Sequence, residues 1–205
     1  MPGSWPPILL LTAYWGTGAL FVAPMPSVER RLRGIDAALH VRSVAARTPR
    51  VLAEALEFAY SGVYPTISIA LWFALDAGLS AERFWAVVLF TDYLCFGCLP
   101  WIQSRPPRAL EVEPPWRSHW RSVNIQILES GGVGVNTFPS GHAAEGLACA
   151  LLVTSAPWPF VLAMFVNAGA ISAGAVYGRY HYAADAIAGW VVALLVWPAV
   201  WARNW

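Results

Sequence analysis

Two apolar runs near the end of the chain are separated by only five residues: FVLAMFVNAGAISAGAVY at 160–177, GRYHY at 178–182 and AADAIAGWVVALLVWPAVW at 183–201. A helix needs about 20 mainly apolar residues to cross a membrane. The two runs therefore predict two membrane spans, and the polar stretch predicts a loop at the membrane boundary. His181 lies in this loop.

The composition of the whole chain supports a membrane protein. Hydrophobic residues make up 58% of the 205 residues and charged residues 12%, whereas a soluble domain has about 45–50% apolar and about 25% charged residues. An ordinary soluble enzyme and a disordered chain are excluded, and a net charge of +1 gives no global basic field for nucleic acid. We expect an all-α, integral membrane six-helix bundle forming a single domain over 1–205, with spans at 8–23, 58–75, 84–101, 143–156, 160–177 and 183–201.

The segment between the first two spans has a different character, because six arginines crowd between residues 24 and 57. Four apolar residues recur there at helical spacing: Val28, Leu32, Ile35 and Leu39. This pattern predicts an amphipathic helix lying on the bilayer surface over 28–47, ended by Thr48-Pro49. A solvated loop is the alternative.

The first candidate for chemistry is the sequence NTFPSGH at 136–142. Gly141 permits a tight turn, and Ser140 can cap the following helix, whose first backbone N–H groups have no partner within the helix. A helix start with a hydroxyl and an imidazole suits an anion. Ser140, Gly141 and His142 are therefore candidates for binding and protonating a phosphate ester; a capped helix with an incidental histidine is the alternative.

The second candidate is the sequence YGRYHYAAD at 177–185. His181 and Asp185 are four residues apart, so on a helix they share a face within hydrogen-bond reach. Asp185 could hold one ring nitrogen of His181 as N–H and leave the other free as a nucleophile. A structural His–Asp pair that ties down a helix end is the alternative.

Arginines near these motifs complete the candidate site. Arg105 and Arg108, in QSRPPR at 103–108, and Arg179 are candidates for binding phosphate oxygens, with anchoring to lipid head groups as the alternative. All these residues fall in two predicted catalytic loops, 102–142 and 178–185. The set lacks the cysteine or acidic cluster of a metal site, so we expect neither a metal nor another cofactor. It suits phosphoryl transfer through a phosphohistidine, with attack by His181 and protonation of the leaving oxygen by His142.

Besides Asp185, two carboxyl side chains lie inside predicted spans. Asp92 is in the third span, where ionisable residues are usually partnered and functional. Glu145 lies one turn into the fourth helix, close to His142. It could tune that histidine or bind a hydroxyl of a lipid head group.

The order of these motifs resembles the type 2 phosphatidic acid phosphatase superfamily, integral membrane lipid phosphate phosphatases with a six-helix core. The resemblance rests on Arg105-Pro106, then Pro139-Ser140-Gly141-His142, then His181-x-x-x-Asp185-x-x-x-Gly189, and spans roughly the second to the sixth helix. It implies His181 as the nucleophile, Asp185 as the residue that orients it, His142 as the general acid, and no metal.

Two positions depart from the family pattern. The first motif of the family has a Lys seven residues before the Arg, where this chain has Cys98, and its third motif has an Arg six residues before the nucleophilic His, where this chain has Ala175. Arg108 and Arg179 are nearby candidates to replace these phosphate ligands. The variant form is similar to a branch that includes inositol-phosphorylceramide and sphingomyelin synthases, which transfer a phospho-head-group to another alcohol.

We therefore expect a metal-independent phosphatase that acts on a lipid phosphate or an isoprenyl diphosphate in the bilayer. The alternatives are a head-group phosphotransferase on the same scaffold and a non-catalytic membrane relative. No nucleic acid partner is expected, and the sequence leaves the lipid tail and the oligomeric state open.

The side of the membrane is predicted differently by two arguments. Eleven of the 13 arginines lie in the loops 24–57, 102–142 and 178–185, which the positive-inside rule places in the cytoplasm. Bacterial phosphatases that this chain resembles usually act outside the cytoplasm, and an interfacial helix there can hold arginines against anionic lipid. We expect a multi-pass protein of a bacterial cell membrane with an extracytoplasmic site.

Overall fold

The computed structural model describes residues 5–202, and these residues form ten α-helices and no strand. An isolated backbone bridge joins Ser104 to Asn136, and a short 3-10 turn covers Pro107–Ala109. The helices are α1 Trp5–Gly18, α2 Pro26–Ala38, α3 Val41–Ala46, α4 Arg50–Ser61, α5 Val63–Asp76, α6 Ala81–Gly97, α7 His119–Gly131, α8 Gly141–Leu152, α9 Trp158–Tyr177 and α10 Ala183–Trp201. The all-α prediction is confirmed.

Helix α8 is the centre of the fold. Every residue from Ala143 to Leu152 is buried, and α5, α6, α9 and α10 all pack against this helix. Its sequence, GHAAEGLACALL, is rich in small residues, which let neighbouring helix backbones approach closely. The helix begins two residues before the predicted span 143–156 and ends at Leu152, so it is shorter than expected.

Within residues 5–202, two helices, α9 and α10, are long and apolar enough to cross a membrane, and α4 with α5 adds a third candidate if that bent pair is one span. These helices make the chain a membrane protein, but the six-helix membrane bundle is not confirmed by length and composition. Helix α1, with 14 residues, and α6, with 17, are shorter than a full span.

The predicted second span, 58–75, is broken. Helices α4 and α5 meet at Gly62 with a bend of 64°. Pro65 occupies the third position of α5, where it can neither donate a backbone hydrogen bond nor accommodate the carbonyl four residues earlier. A continuous helix through this point is therefore disfavoured.

The predicted interfacial helix is two helices, α2 and α3, separated at His40, whose φ of 52° lies in the left-handed region. Ile35 and Leu39 are exposed beside exposed arginines, but the face of α2 turned to the protein carries Glu29, Leu32 and Asp36. Both carboxylates pair with arginines of the predicted catalytic loops. The predicted apolar stripe is therefore split, because Leu32 is buried against the protein whereas Ile35 and Leu39 are exposed.

Helix α7 lies within the segment 102–142, which the sequence predicted as a catalytic loop. Ser118 caps its start, and the carboxylate of Glu54 accepts hydrogen bonds from the backbone N–H groups of His119 and Trp120 at 2.8 and 3.1 Å. These contacts dock α7 on α4, where it forms one wall of the cavity described below.

Candidate active site

The start of α8 is held against the start of α10 by backbone contacts. The N–H of Ser140 donates to the carbonyl of Asp185 at 2.9 Å, and the Ser140 hydroxyl accepts from the N–H of Ala143 at 3.4 Å. A Cβ placed on Gly189 would lie 2.5 Å from the carbonyl oxygen of Ser140, closer than any real side chain allows. The glycine therefore permits the helix contact that joins the two histidine motifs.

His181 and Asp185 lie close together, although His181 precedes α10 instead of sharing a helix face with Asp185. Nδ1 of His181 is 3.5 Å from Oδ2 of Asp185, and it has no hydrogen-bond partner among the described residues; catalytic hydrogen bonds are often long in enzymes without substrate and tighten when substrate binds. The same oxygen of Asp185 accepts from the N–H of Tyr182 at 2.8 Å. Asp185 lies in the first turn of α10 rather than in a loop, so its carboxylate both caps that helix and faces the imidazole.

The two histidines face one cavity. Their ring centroids are 6.1 Å apart, and both line a cavity of about 350 Å³ together with Arg108, Thr137 and Glu145. The remaining walls are mostly apolar or aromatic and come from α1, α4, α5, α6 and α7: Leu10, Leu11, Tyr14, Trp15, Tyr60, Tyr64, Phe96, Ile127 and Leu128. A polar end and an apolar body suit an amphiphile.

Aromatic stacking fixes the rings around the polar end. His142 stacks on Tyr60 with ring centroids 4.7 Å apart, and Tyr60 stacks on Tyr180 at 4.2 Å. The N–H groups of Tyr180 and His181 both donate to the carbonyl of Ala175 at 2.9 Å. Ala175, where the family pattern has an arginine, thus contributes to positioning His181 through its backbone.

The three predicted phosphate-binding arginines are placed differently. Of the described arginines, only Arg108 lines the cavity, where its guanidinium lies 5.8 Å from the ring centroid of Tyr180. No carboxylate of residues 5–202 forms an ion pair with it. Arg108 is therefore available to an anion in the cavity.

Arg105 and Arg179 are held by carboxylates instead. Arg105 donates twice to Glu29, at 3.0 and 2.9 Å, and this hydrogen bonding lowers the pKa of Glu29 below its ordinary value. The buried guanidinium of Arg179 lies 2.6 Å from Asp36 and 2.7 Å from Glu111. Burial alone would lower the pKa of Arg179, yet the hydrogen bonds that its guanidinium donates to these two carboxylates leave the pKa raised.

Glu57, just before the predicted second span, was expected to pair with an arginine and does so with Arg121, but the buried network around it was not predicted. The carboxylate of Glu57 accepts hydrogen bonds from Trp116, Arg121, Asn124 and Tyr180 at distances between 2.6 and 3.1 Å. Arg121 also donates to the carbonyl of Gly178 at 2.7 Å. The network ties α7 and the loop before His181 to α4. A carboxylate in the middle of an apolar, helical pattern was the available signal, since such a group is retained only with partners.

A family model described as the PAP2 superfamily matches residues 25–199 of the chain. The chain belongs to this superfamily. No curated protein and no solved structure gives a significant match. The resemblance seen in the motifs is thereby confirmed, and because PAP2 proteins are generally phosphatases, the chain is a phosphatase-type hydrolase of phosphate esters.

The PAP2 match includes both histidine motifs and every arginine considered above. Cys98, where the family pattern has a lysine, lies at the end of α6 and does not line the cavity. Within the described residues, no group of three or more His, Cys, Asp or Glu side chains is arranged to hold a metal ion.

Proposed function

We propose that this PAP2 protein is a metal-independent membrane phosphatase of lipid phosphates or diphosphates that acts through a phosphohistidine on His181. The observation that carries the proposal is the pairing of His142 and His181 across one cavity, at 6.1 Å, with the carboxylate of Asp185 behind His181. A single phosphoryl group between two imidazoles has room to contact both.

The reaction follows from which nitrogen of His181 is free. In this proposal, Nδ1 carries the proton and faces Asp185 at 3.5 Å, the two close to a hydrogen bond when substrate binds, and Nε2 keeps its lone pair. Nε2 attacks phosphorus, the bond from phosphorus to the leaving oxygen breaks, and His142 gives that oxygen a proton. Water then attacks the phosphohistidine, His142 takes the proton, and the N–P bond breaks to release phosphate.

Charge on the phosphoryl oxygens is neutralised, in this proposal, mainly by Arg108. Its guanidinium lines the cavity without a carboxylate partner in the described chain. The backbone N–H groups of Gly141 and His142, at the start of α8, add a second positive region. For Arg105 and Arg179, contact with phosphate would require exchange of their carboxylate partners, so we assign them the task of positioning the loop that carries Arg108.

The loop contacts support this assignment. The backbone N–H of Arg108 donates to the carbonyl of Arg179 at 2.9 Å, and Tyr182 donates its hydroxyl to the carbonyl of Arg105 at 3.1 Å. The two arginine loops are therefore joined to each other and to α2. Phosphate binding by Arg108 would depend on this frame.

We further propose a six-span arrangement in which α1, the bent pair α4–α5, α6, α8, α9 and α10 cross the bilayer. The chain then keeps both histidines at one membrane face, while α2 and α3 lie at the interface. The apolar cavity wall formed by α1 and α7 would accept the lipid tail. We assign the site to the extracytoplasmic side of a bacterial membrane, where the exposed arginines of α2 would meet anionic head groups.

Phosphate release from detergent-purified protein tests the proposed function. Phosphatidate, phosphatidylglycerol phosphate and an isoprenyl diphosphate are offered with excess chelator, and release is compared between the wild type, His181→Ala and the control His119→Ala, which changes an exposed histidine outside the cavity. We expect release by the wild type and the control, and none by His181→Ala. A strict metal requirement, or normal release by His181→Ala, would contradict the mechanism; transfer only to an added lipid alcohol would assign a phosphotransferase.

A further inference from the structure

A second polar site lies deeper in the same cavity, next to the proposed phosphate position. Glu145 lines the cavity, although its side chain is almost fully buried, with a residue exposure of 3%. Asp92, on α6, is completely buried, and its Oδ1 would lie 3.5 Å from a Cβ placed on Gly141, which lines the cavity four residues before Glu145 on α8. Residues four apart on a helix share a face, so the two carboxyl side chains lie near each other where α6 packs on α8 and interact there.

This pair lacks a donor from the protein. Both oxygens of Asp92 and Oε1 of Glu145 have no hydrogen-bond partner among the described residues, and neither side chain forms an ion pair within that part of the chain. Two adjacent carboxylates cannot both be ionised, so a proton shared between them satisfies one contact. The other oxygens still require donors, because an unsatisfied polar group in an apolar site is costly.

The position of Glu145 relative to His142 indicates which part of the substrate would supply the missing hydrogen-bond donor. The two residues are three apart on α8 and share a helix face, so Glu145 lies about 4.5 Å further along the helix axis. If His142 protonates the leaving oxygen, atoms at the depth of Glu145 belong to the leaving alcohol, about two to four bonds beyond that oxygen. A plain hydrocarbon chain there would leave the carboxyl pair unsatisfied.

We propose that the Asp92–Glu145 pair is a specificity site for a leaving alcohol that carries a hydroxyl or amino group close to its phosphoester oxygen. Glu145 accepts the hydrogen bond, and Asp92 holds Glu145 through the shared proton. This inference rests on the proposed phosphatase function and restricts its substrates. Lipid phosphates with a polar group beside the ester are favoured over phosphates of simple alkyl or isoprenyl alcohols, since a site built for a hydrogen bond rejects analogues that lack the donor.

The test compares two substrates that differ only in this donor: hexadecyl phosphate and 2-hydroxyhexadecyl phosphate, each in the same detergent. We expect the wild type to favour the hydroxylated substrate by about tenfold or more in kcat/KM. In Glu145→Leu the ratio should fall to within about twofold of unity, because the acceptor is gone. Glu145→Gln retains an acceptor oxygen and should keep most of the preference.

The control is Glu82→Gln, which changes an exposed carboxylate in the first turn of α6, outside the cavity; its ratio should match the wild type. A wild-type ratio near unity would overturn the inference without any variant. An unchanged ratio in Glu145→Leu would do the same, and an equal loss on both substrates would make the pair a proton relay or a helix clamp instead. If the wild type hydrolyses neither substrate nor any lipid phosphate, the proposed function fails first and this inference falls with it.

Discussion

Gly189→Ala should separate the two histidines without touching either. The new Cβ would lie 2.5 Å from the carbonyl oxygen of Ser140 and 3.2 Å from the backbone N of Ala144. The first distance is about 0.9 Å shorter than the 3.4 Å at which ordinary contact begins. Both neighbouring atoms are backbone, so α10 must move away from α8 by a comparable amount.

The expected cost has two parts. Overpacking of a tight contact destabilises a protein by about 1–3 kcal/mol, and a misplacement of about 1 Å in an active site lowers the rate on the order of 100-fold. Because Asp185 lies on α10, His181 lies two residues before that helix and His142 lies on α8, a shift between α8 and α10 changes their relative positions, and we expect kcat to fall more than lipid binding.

The assay measures kcat, KM and the thermal unfolding midpoint in one detergent, with Gly169→Ala as the matched control. A Cβ on Gly169, in the interior of α9, meets nothing within 4 Å. That change should leave activity intact and raise stability by up to about 1 kcal/mol. Wild-type kcat and stability in Gly189→Ala would refute the argument that this glycine sets the distance between the histidines.

Three further predictions address the site and its frame. Arg108→Ala should lower kcat/KM by about 100- to 1000-fold, as for the loss of one group that stabilises transition-state charge. The control Arg30→Ala, at an exposed arginine, should change kcat/KM little. Equal kinetics in the two variants would contradict the role of Arg108. Glu57→Gln should lower the unfolding free energy by about 3 kcal/mol, since it breaks a buried charge pair, and an unchanged thermal midpoint would show that the network is not stabilising. In the folded chain, Glu29 has a pKa below its ordinary 4.5. Its pair with Arg105 therefore contributes stability above pH 4.5, and this stability is lost as pH falls through the lower folded pKa. The difference in unfolding free energy between wild type and Glu29→Gln should shrink in acid, and a difference independent of pH would contradict the pairing.

The two histidine motifs could be recognised in the sequence because their information is local. His181 and Asp185 are four residues apart, and the structure brings them to 3.5 Å at the start of a helix. Ser140 caps the helix that carries His142, as its position before an apolar run indicated. The contact between α8 and α10 that brings the two motifs together was not predicted, and Gly189 permits it.

The partners of the arginines could not be predicted, because they come from distant parts of the chain. Asp36 is 143 residues from Arg179, and Glu29 is 76 residues from Arg105. Helical spacing in α2 showed an apolar stripe, but not that acidic residues on the same helix would turn inward. Arginines that were candidates for phosphate are consequently paired with carboxylates.

The break between α4 and α5 was a misjudged local signal. Gly62 and Pro65 lie inside the predicted span 58–75, and a proline in a helix interior removes a hydrogen bond and clashes with the preceding turn. The sequence prediction gave more weight to the apolar character of the run than to Gly62 and Pro65. In the structure the run is helical on both sides of Gly62, and the two helices meet there at 64°.

The proposed mechanism requires a covalent phosphohistidine on His181, and the most informative experiment is to trap this intermediate. Purified protein is mixed with ³²P-labelled lipid phosphate in chelator, quenched in alkali within the first turnovers, digested and mapped. We expect a base-stable, acid-labile phosphoryl group on the peptide containing His181, present in the His119→Ala control and absent from His181→Ala. Turnover with no labelled peptide, or label on any other residue, would contradict it.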